Sequence, residues 1–150
     1  MLKTDLINSF HSVNKSIKNH FQILPMDKLD FTIHPKSMTM GRLIKHLQSI
    51  ELFITRGVVS NNWEKNIQTD VSTRESMIQT LDNNHNQAIK LLEQVDENDL
   101  LNKQVKTPFS EGSMLSLLLF NLDHLHHHRT QLFLYLKLLD MDVNTMTIWG

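Results

Sequence analysis

The sequence predicts an all-α protein, a four-helix bundle with a long crossover-type loop between its first two helices. Glycine and proline number only 4 and 3 of the 150 residues, and β-sandwiches or barrels need more frequent turns. Apolar residues recur at helical spacing in four segments of about 20 residues each. Because 40% of the residues are hydrophobic and the net charge is −1, we expect one folded domain over residues 1–150.

The first predicted helix runs from Leu2 to Leu24. Its inward face consists of residues three or four apart, namely Leu6, Phe10, Val13, Ile17, His20 and Leu24. Pro25 ends this helix, because proline disfavours helix at the residue before it. The stretch that follows contains Pro35 and is long enough to cross one end of the bundle. An up-down-up-down order of helices is therefore not required.

The second and third predicted helices each follow a residue that can cap them. The second begins near Ser37–Thr39 and fades at Asn61–Asn62. Its inward face is Met40, Leu43, Leu47, Ile50, Ile54 and Gly57. The third is predicted to begin with a capping box formed by Ser72 and Glu75. Its inward face is Met77, Ile78, Leu81, Ala88, Leu92 and Val95, with His85 in the middle.

The fourth predicted helix begins after Ser113 and is apolar nearly all round. Its inward face is Met114, Leu117, Leu118, Asn121, Leu125, His128, Leu132, Tyr135 and Leu139. Outside that face lie four more apolar residues, Leu119, Leu122, Phe133 and Leu134. A helix that is apolar on two sides needs two partners, so we expect a homodimer through this helix. The tail from Met141 onward is expected to be too short for another helix.

Composition excludes several classes of function. The chain has no cysteine, which excludes disulfides, iron–sulfur clusters, thiolate metal sites and cysteine nucleophiles. The 15 Lys and Arg residues nearly balance the 16 Asp and Glu residues, so no nucleic-acid partner is expected. No apolar run is long enough for a transmembrane helix, and the N-terminal stretch lacks the apolar core of a signal peptide. We therefore expect a cytoplasmic protein without membrane association.

Histidine is unusually frequent, with nine in the chain and four of them within residues 124–128. Only His124 and His128 share an inward face, because residues four apart on a helix lie one above the other, whereas His126 and His127 point outward. Two imidazoles in this arrangement can hold one divalent ion. The residue after His124 is Leu125, so the glutamate base of the zinc-protease motif HExxH is missing.

A third metal ligand would have to come from another helix, and periodicity leaves His46, His85 and His20 as candidates. Each of them also fits a hydrogen-bonded core or pocket histidine. Three neutral imidazoles suit zinc, nickel, copper or ferrous iron and leave coordination positions open for water or substrate.

Three polar residues adjoin the clustered histidines on the fourth helix. Asn121 lies on the inward face one turn before His124, where it fits a pocket residue that holds a metal ligand in place. A hydrogen bond from Asn121 to neighbouring backbone is an equally good interpretation. Arg129 and Gln131 fall on the flank of the helix, where they could orient an anionic substrate group or face solvent; of the two, solvent is slightly favoured.

Two segments resemble markers of the DinB/YfiT-like family. HLHHHRTQLFLYLKLLDMDVNTMTIWG, from His124 to Gly150, resembles the family's closing segment, which has a His-x-x-x-His-Arg-Gly-Gln stretch, a helical run and a final aromatic-Gly. FTIHPKSMTMGRLIKHLQSIELF, from Phe31 to Phe53, resembles its proline loop and hydroxyl-initiated helix with a histidine two turns in. The chain departs from the pattern at Thr130, where glycine is usual, and at Asp140-Met141, where a glycine often ends the helix.

This resemblance implies a four-helix bundle, often dimeric, with a divalent ion held by His46, His124 and His128. His20 and His85 then become pocket-lining or structural candidates. Family members with assigned activities are thiol-cofactor S-transferases or mycothiol-dependent isomerases, in which a metal activates a low-molecular-weight thiol.

Three functional hypotheses follow from the resemblance and the histidine pattern. The first is a metal-dependent enzyme, either a small-thiol S-transferase acting on electrophiles or a hydrolase. The second is a non-catalytic helical dimer that binds a metal or small ligand in a stress response. The third is a purely structural helical dimer with incidental histidines.

Overall fold

Four long helices form the bundle that the sequence predicts. The computed structural model describes the backbone of residues 2–149 and the side chains of residues 2–147. The helices are α1 (Leu2–Ile23), α2 (Met40–Ser60), α3 (Arg74–Glu93), α4 (Glu97–Asn102), α5 (Met114–Leu138) and α6 (Thr145–Trp149), and the strands are β1 (Gln104–Lys106) and β2 (Glu111–Ser113). The predicted all-α class is confirmed, with α1, α2, α3 and α5 as the four long helices.

The order of the helices around the bundle follows from the long connection after α1. Both α1 and α2 pack chiefly against α3 and α5, so α1 lies diagonally opposite α2 and α3 lies diagonally opposite α5. Residues 24–39 make the crossover, beginning with a 3₁₀ turn at Met26–Lys28. Backbone hydrogen bonds of 2.8 Å from Met40 N to Phe31 O and from Gly41 N to Leu29 O fix its end to the start of α2. The predicted crossover is therefore confirmed.

Three of the long helices are capped at their N-termini by hydroxyl side chains. Thr39 accepts a hydrogen bond from Arg42 N at the start of α2, and Ser113 accepts one from Ser116 N at the start of α5. The predicted capping box of α3 was wrong by one residue. It consists of Thr73 and Ser76, because Ser72 is held outside the helix by hydrogen bonds to the carboxylate of Asp70.

Short elements that the periodicity could not reveal occupy the segment between α3 and α5. The Asp96 side chain caps α4 by accepting from Asn98 N at 2.7 Å. Strands β1 and β2 then form an antiparallel hairpin whose buried strand residue is Val105. The expectation of a helix-free tail was also wrong, because residues 145–149 form α6. A six-residue or five-residue helix carries too few turns for a hydrophobic period to be read.

The core lies among the four long helices and continues under the hairpin. Its buried apolar residues include Phe10, Ile17, Phe21, Leu43, Leu47, Met77, Leu81, Leu92, Leu118, Leu125, Leu132 and Tyr135. Arg129 is only 8% exposed, so the expectation that it faces solvent was wrong; its long stem lets it pack within the bundle. Among the residues that the structure describes, no helix has both the length and the apolar character needed to cross a membrane.

The indole of Trp63 lies directly over Gly57 of α2. A Cβ added at Gly57 would lie far inside contact distance of the ring carbons of Trp63. We expect Gly57→Ala to lower the free energy of unfolding by about 1–3 kcal/mol, since the indole has to move. Urea denaturation measures this, with Gly41→Ala as the matched control in the same helix.

The added Cβ in the Gly41→Ala control would meet Leu29 O at 3.2 Å, so the control is expected to change stability less. Equal effects of the two substitutions would contradict the account of the Trp63 position.

Candidate metal centre

Three histidines from two helices meet at one point on the side of the bundle. His46 lies on the second turn of α2, and His124 and His128 lie one turn apart in the middle of α5. Because α2 packs against α5, these side chains face each other. One ring nitrogen from each lies within 4.8 Å of the other two, and the Nε2 atoms of His46 and His124 are 2.9 Å apart. The structure thus brings together the set that the family resemblance implies.

The protonation of these rings favours metal binding. Burial, followed by the neighbouring His128 and His124, lowers the pKa of His46 from 6.5 to about 4. Burial is also the main cause that lowers the pKa of His124 and of His128. All three imidazoles are therefore neutral at pH 7, which is the form that binds a metal ion.

A chain of hydrogen bonds orients the ring of His128. Its Nδ1 lies 3.0 Å from Oε1 of Gln131, so Nδ1 donates and Nε2 is left as the ligand atom. Gln131 Nε2 donates to the hydroxyl of Tyr135 at 3.3 Å, and that hydroxyl donates to Met38 O at 2.7 Å. Such outer partners fix the tautomer and direction of a metal-binding histidine. The expectation that Gln131 faces solvent missed this role. Its position one turn after His128 could have indicated a hydrogen bond between the two side chains.

Removing the Gln131 side chain is expected to weaken metal binding. We expect Gln131→Ala to lower the affinity of the site for zinc by about 10- to 100-fold, because His128 loses its orienting acceptor. Competition with a chromophoric chelator measures this, and Gln131→Glu, which keeps an acceptor oxygen, should retain most of the affinity. An unchanged affinity in Gln131→Ala would show that Gln131 does not support the site.

Two cavities border the centre, and only one of them is lined by Lys and Arg side chains. One, of about 550 Å³, is lined by His46 together with Arg42, Lys45 and Lys65, and is called the cationic cleft below. The other, of about 520 Å³, reaches His124 and has mainly apolar walls; it is called the apolar cavity. A larger space of about 720 Å³, between α2 and α3, is lined mostly by amide and other polar side chains and reaches none of the three histidines.

The second candidate histidine, His85, lies on α3 and belongs to a different cluster. Its Nδ1 is 2.8 Å from Oε1 of Glu51, and its Nε2 is 2.8 Å from Nδ1 of His11. Glu51 and His85 are both buried. Burial raises the pKa of Glu51, and the hydrogen bond from His85 opposes this rise. His85 also lines an open cleft on the α1–α3 side of the bundle.

His20 and Asn121 are both buried and hydrogen-bonded to groups outside the centre. Nδ1 of His20 donates to Ser16 O at 2.6 Å, and its ring meets Phe133 edge to face. Asn121 Nδ2 donates to the backbone oxygen of Glu51 and to the hydroxyl of Thr55. Within the part of the chain that the structure describes, His20 is not among the histidines that could hold a metal ion together.

Comparison with known proteins assigns the chain to a family. The sequence profile of the DinB family matches residues 1–147. A DinB-like protein from Bacillus subtilis superposes with a TM-score of 0.76 at 18% identity, covering 91% of this chain and 92% of that one. A DinB-like protein from Bacillus cereus gives 0.75 at 14% identity, covering 93% of each chain. At such identities these structures support the fold alone. No curated protein sequence matches the chain.

Proposed function

The chain belongs to the DinB family, and from this premise we propose that it is a metal-dependent enzyme that transfers a small anionic thiol to an electrophile. The observation that carries the proposal is the group of three converging histidines beside the cationic cleft. His46, His124 and His128 would hold the ion, which is zinc, nickel or iron for a donor set of nitrogen alone. When bound, a dication lowers the pKa of a thiol or water.

The cationic cleft supports an anionic thiol rather than a neutral one. Arg42 and Lys45 precede His46 on α2, and Lys65 contributes from the segment after that helix. A carboxylate attached to the thiol would be attracted by these charges, and a guanidinium can bind it through two parallel hydrogen bonds. Their task in the proposed reaction is to hold the thiol with its sulfur beside the histidines. A cytoplasmic location is part of the proposal, because small thiols are kept reduced there.

The test compares thiols with and without a carboxylate. Metal-loaded protein without an affinity tag is incubated with 1-chloro-2,4-dinitrobenzene and either N-acetylcysteine or 2-mercaptoethanol. We expect metal-dependent conjugation, in which the thiol loses its proton to solvent and its sulfur displaces chloride from the ring carbon. The reaction should be faster with N-acetylcysteine. Arg42→Ala should raise KM for that thiol with little change in kcat, whereas Lys28→Ala, in the crossover loop, should change neither.

Three outcomes of this assay would contradict the proposal. If no thiol is conjugated but activated esters are hydrolysed with metal, the centre belongs to a hydrolase. Metal binding without either reaction would indicate a non-catalytic binding protein of the stress response. No metal binding at all would leave a structural helical bundle.

The proposal also includes a homodimer through α5. Leu119, Leu134 and Leu138 of this helix are exposed, and exposed apolar residues grouped on one element are typical of interaction surfaces. Light scattering after size exclusion should give twice the mass of the chain at micromolar concentration. Leu134→Lys should halve this mass, whereas Ile33→Lys, at an exposed apolar position in the crossover loop, should not. A monomeric wild-type protein would contradict the dimer.

A further inference from the structure

The apolar cavity lies between α2, α5 and the hairpin, on the side of the centre formed by His124. Its volume is about 520 Å³, within the range of roughly 300–1,000 Å³ that is typical of small-molecule sites. Its walls include Phe53, Trp63, Phe109, Leu117 and Phe120. None of its lining residues is Asp, Glu, Lys or Arg, in contrast to the cationic cleft beside His46.

The aromatic wall of this cavity is held in place by contacts within the chain. The indole of Trp63 meets Phe53 and Phe109 edge to face, with ring centroids 5.6 and 5.8 Å apart. Its position over Gly57 needs the space that a side chain at that residue would fill. The turn that connects β1 and β2 places Phe109 in this wall.

The cavity is continuous with the metal centre. His124 contributes to both the cavity wall and the centre. Phe120, one turn earlier on α5, packs edge to face on the His124 ring, with the ring centroids 5.9 Å apart. A molecule in this cavity would lie next to one metal ligand, while the cationic cleft opens beside another. The centre is thus flanked by one space suited to an anion and one suited to an uncharged apolar group.

We infer that the apolar cavity binds the uncharged aromatic or alkyl part of the electrophilic substrate, with its reacting carbon toward His124. This assignment of the second substrate rests on the proposed function, but binding in the cavity can be measured without turnover. The absence of charged lining residues excludes a strongly ionic ligand, because an unpaired charge loses its hydration there. Ile50 and Phe53 line both spaces, so the two substrates would bind side by side.

Binding is tested with the neutral probe N-phenyl-1-naphthylamine. In a Trp149→Phe variant, Trp63 is the remaining tryptophan, so energy transfer from Trp63 reports a probe bound in this cavity. We expect saturable binding of one probe per chain. Phe120→Asp should weaken binding at least tenfold, because it places a carboxylate at the cavity mouth.

The matched control is Ile33→Asp, at an exposed apolar position in the crossover loop outside the proposed dimer surface, with 47% exposure against 58% for Phe120. It should leave probe binding unchanged. Equal binding by the Phe120→Asp variant and its parent, or no saturable binding, would overturn the inference. Probe affinity that rises on dilution would also overturn it, since a second copy of the chain would then fill the cavity.

Failure of the proposed function can be distinguished from failure of this inference. His46→Ala should abolish metal-dependent conjugation and still bind the probe with unchanged affinity. Probe binding in a protein that conjugates no thiol would leave the cavity as a binding site and remove only the thiol-transfer reaction.

Discussion

His46→Ala is expected to lower metal affinity by at least about 100-fold, more than the loss of an outer hydrogen-bond partner costs. The imidazole of His46 is the single ligand contributed by α2, and without it the remaining two ligands lie on α5. Metal content of tag-free protein and chelator competition measure the effect. Because His46 is only half-buried, the helical circular dichroism of the variant should match that of the wild type.

His126→Ala is the matched control for this substitution. His126 lies between the two ligands on α5 but outside the group of converging nitrogens, so its loss should leave affinity within about twofold, in line with the small effects expected of outward side chains. If His126→Ala weakened binding as much as His46→Ala, the ion would not be held specifically by the three converging histidines.

The largest effect on stability is expected from His85→Ala. This change leaves the Glu51 carboxylate buried without the hydrogen bond from His85, and breaking a buried pair in this way costs about 3–5 kcal/mol. Glu51→Gln should cost much less, because its amide oxygen still accepts from Nδ1 of His85 and no charge is buried. Urea denaturation of both variants and of the double variant measures the difference, with the double variant more stable than His85→Ala.

The pH dependence of His85→Ala follows from the pKa of Glu51. Burial already raises this pKa above its ordinary value of 4.5, and loss of the opposing hydrogen bond raises it further. A raised carboxyl pKa means that the folded state binds the proton more tightly, so stability is lost as pH rises from 4.5 toward the folded-state pKa. The difference in the free energy of unfolding between His85→Ala and the wild type should therefore shrink as pH falls from 8 to 5. A difference that stayed constant would show that Glu51 is not the cause.

The fold could be predicted from the sequence because the four long helices carry clear apolar faces. The apolar stripe of α1 and the proline after it predicted its inward side and an end at Leu24, one residue beyond the observed end at Ile23. The hairpin and α4 could not be predicted, since three or six residues are too few for a period, and their positions depend on packing against α5. The exposure of Arg129 was predicted wrongly, because the spacing of residues along a helix indicates the direction of a side chain. It does not indicate whether a neighbouring element covers that side chain.

Part of the candidate site could also be predicted from the sequence. Spacing alone selected His124 and His128, but it could not choose among His20, His46 and His85. That choice depends on which helices are neighbours: α3 lies diagonally opposite α5, so His85 faces Glu51 and His11, whereas α2 packs on α5 and presents His46. The crossover after α1 sets this order, and helical periodicity contains no information about it.

The claim that one ion is shared by three imidazoles is tested most directly by crystals grown with zinc and measured at the zinc absorption edge. We expect one anomalous peak per chain, with His46, His124 and His128 each contributing a ring nitrogen at about 2.0–2.1 Å from the ion. A peak at His126 or His127 instead, or no peak between α2 and α5, would contradict it.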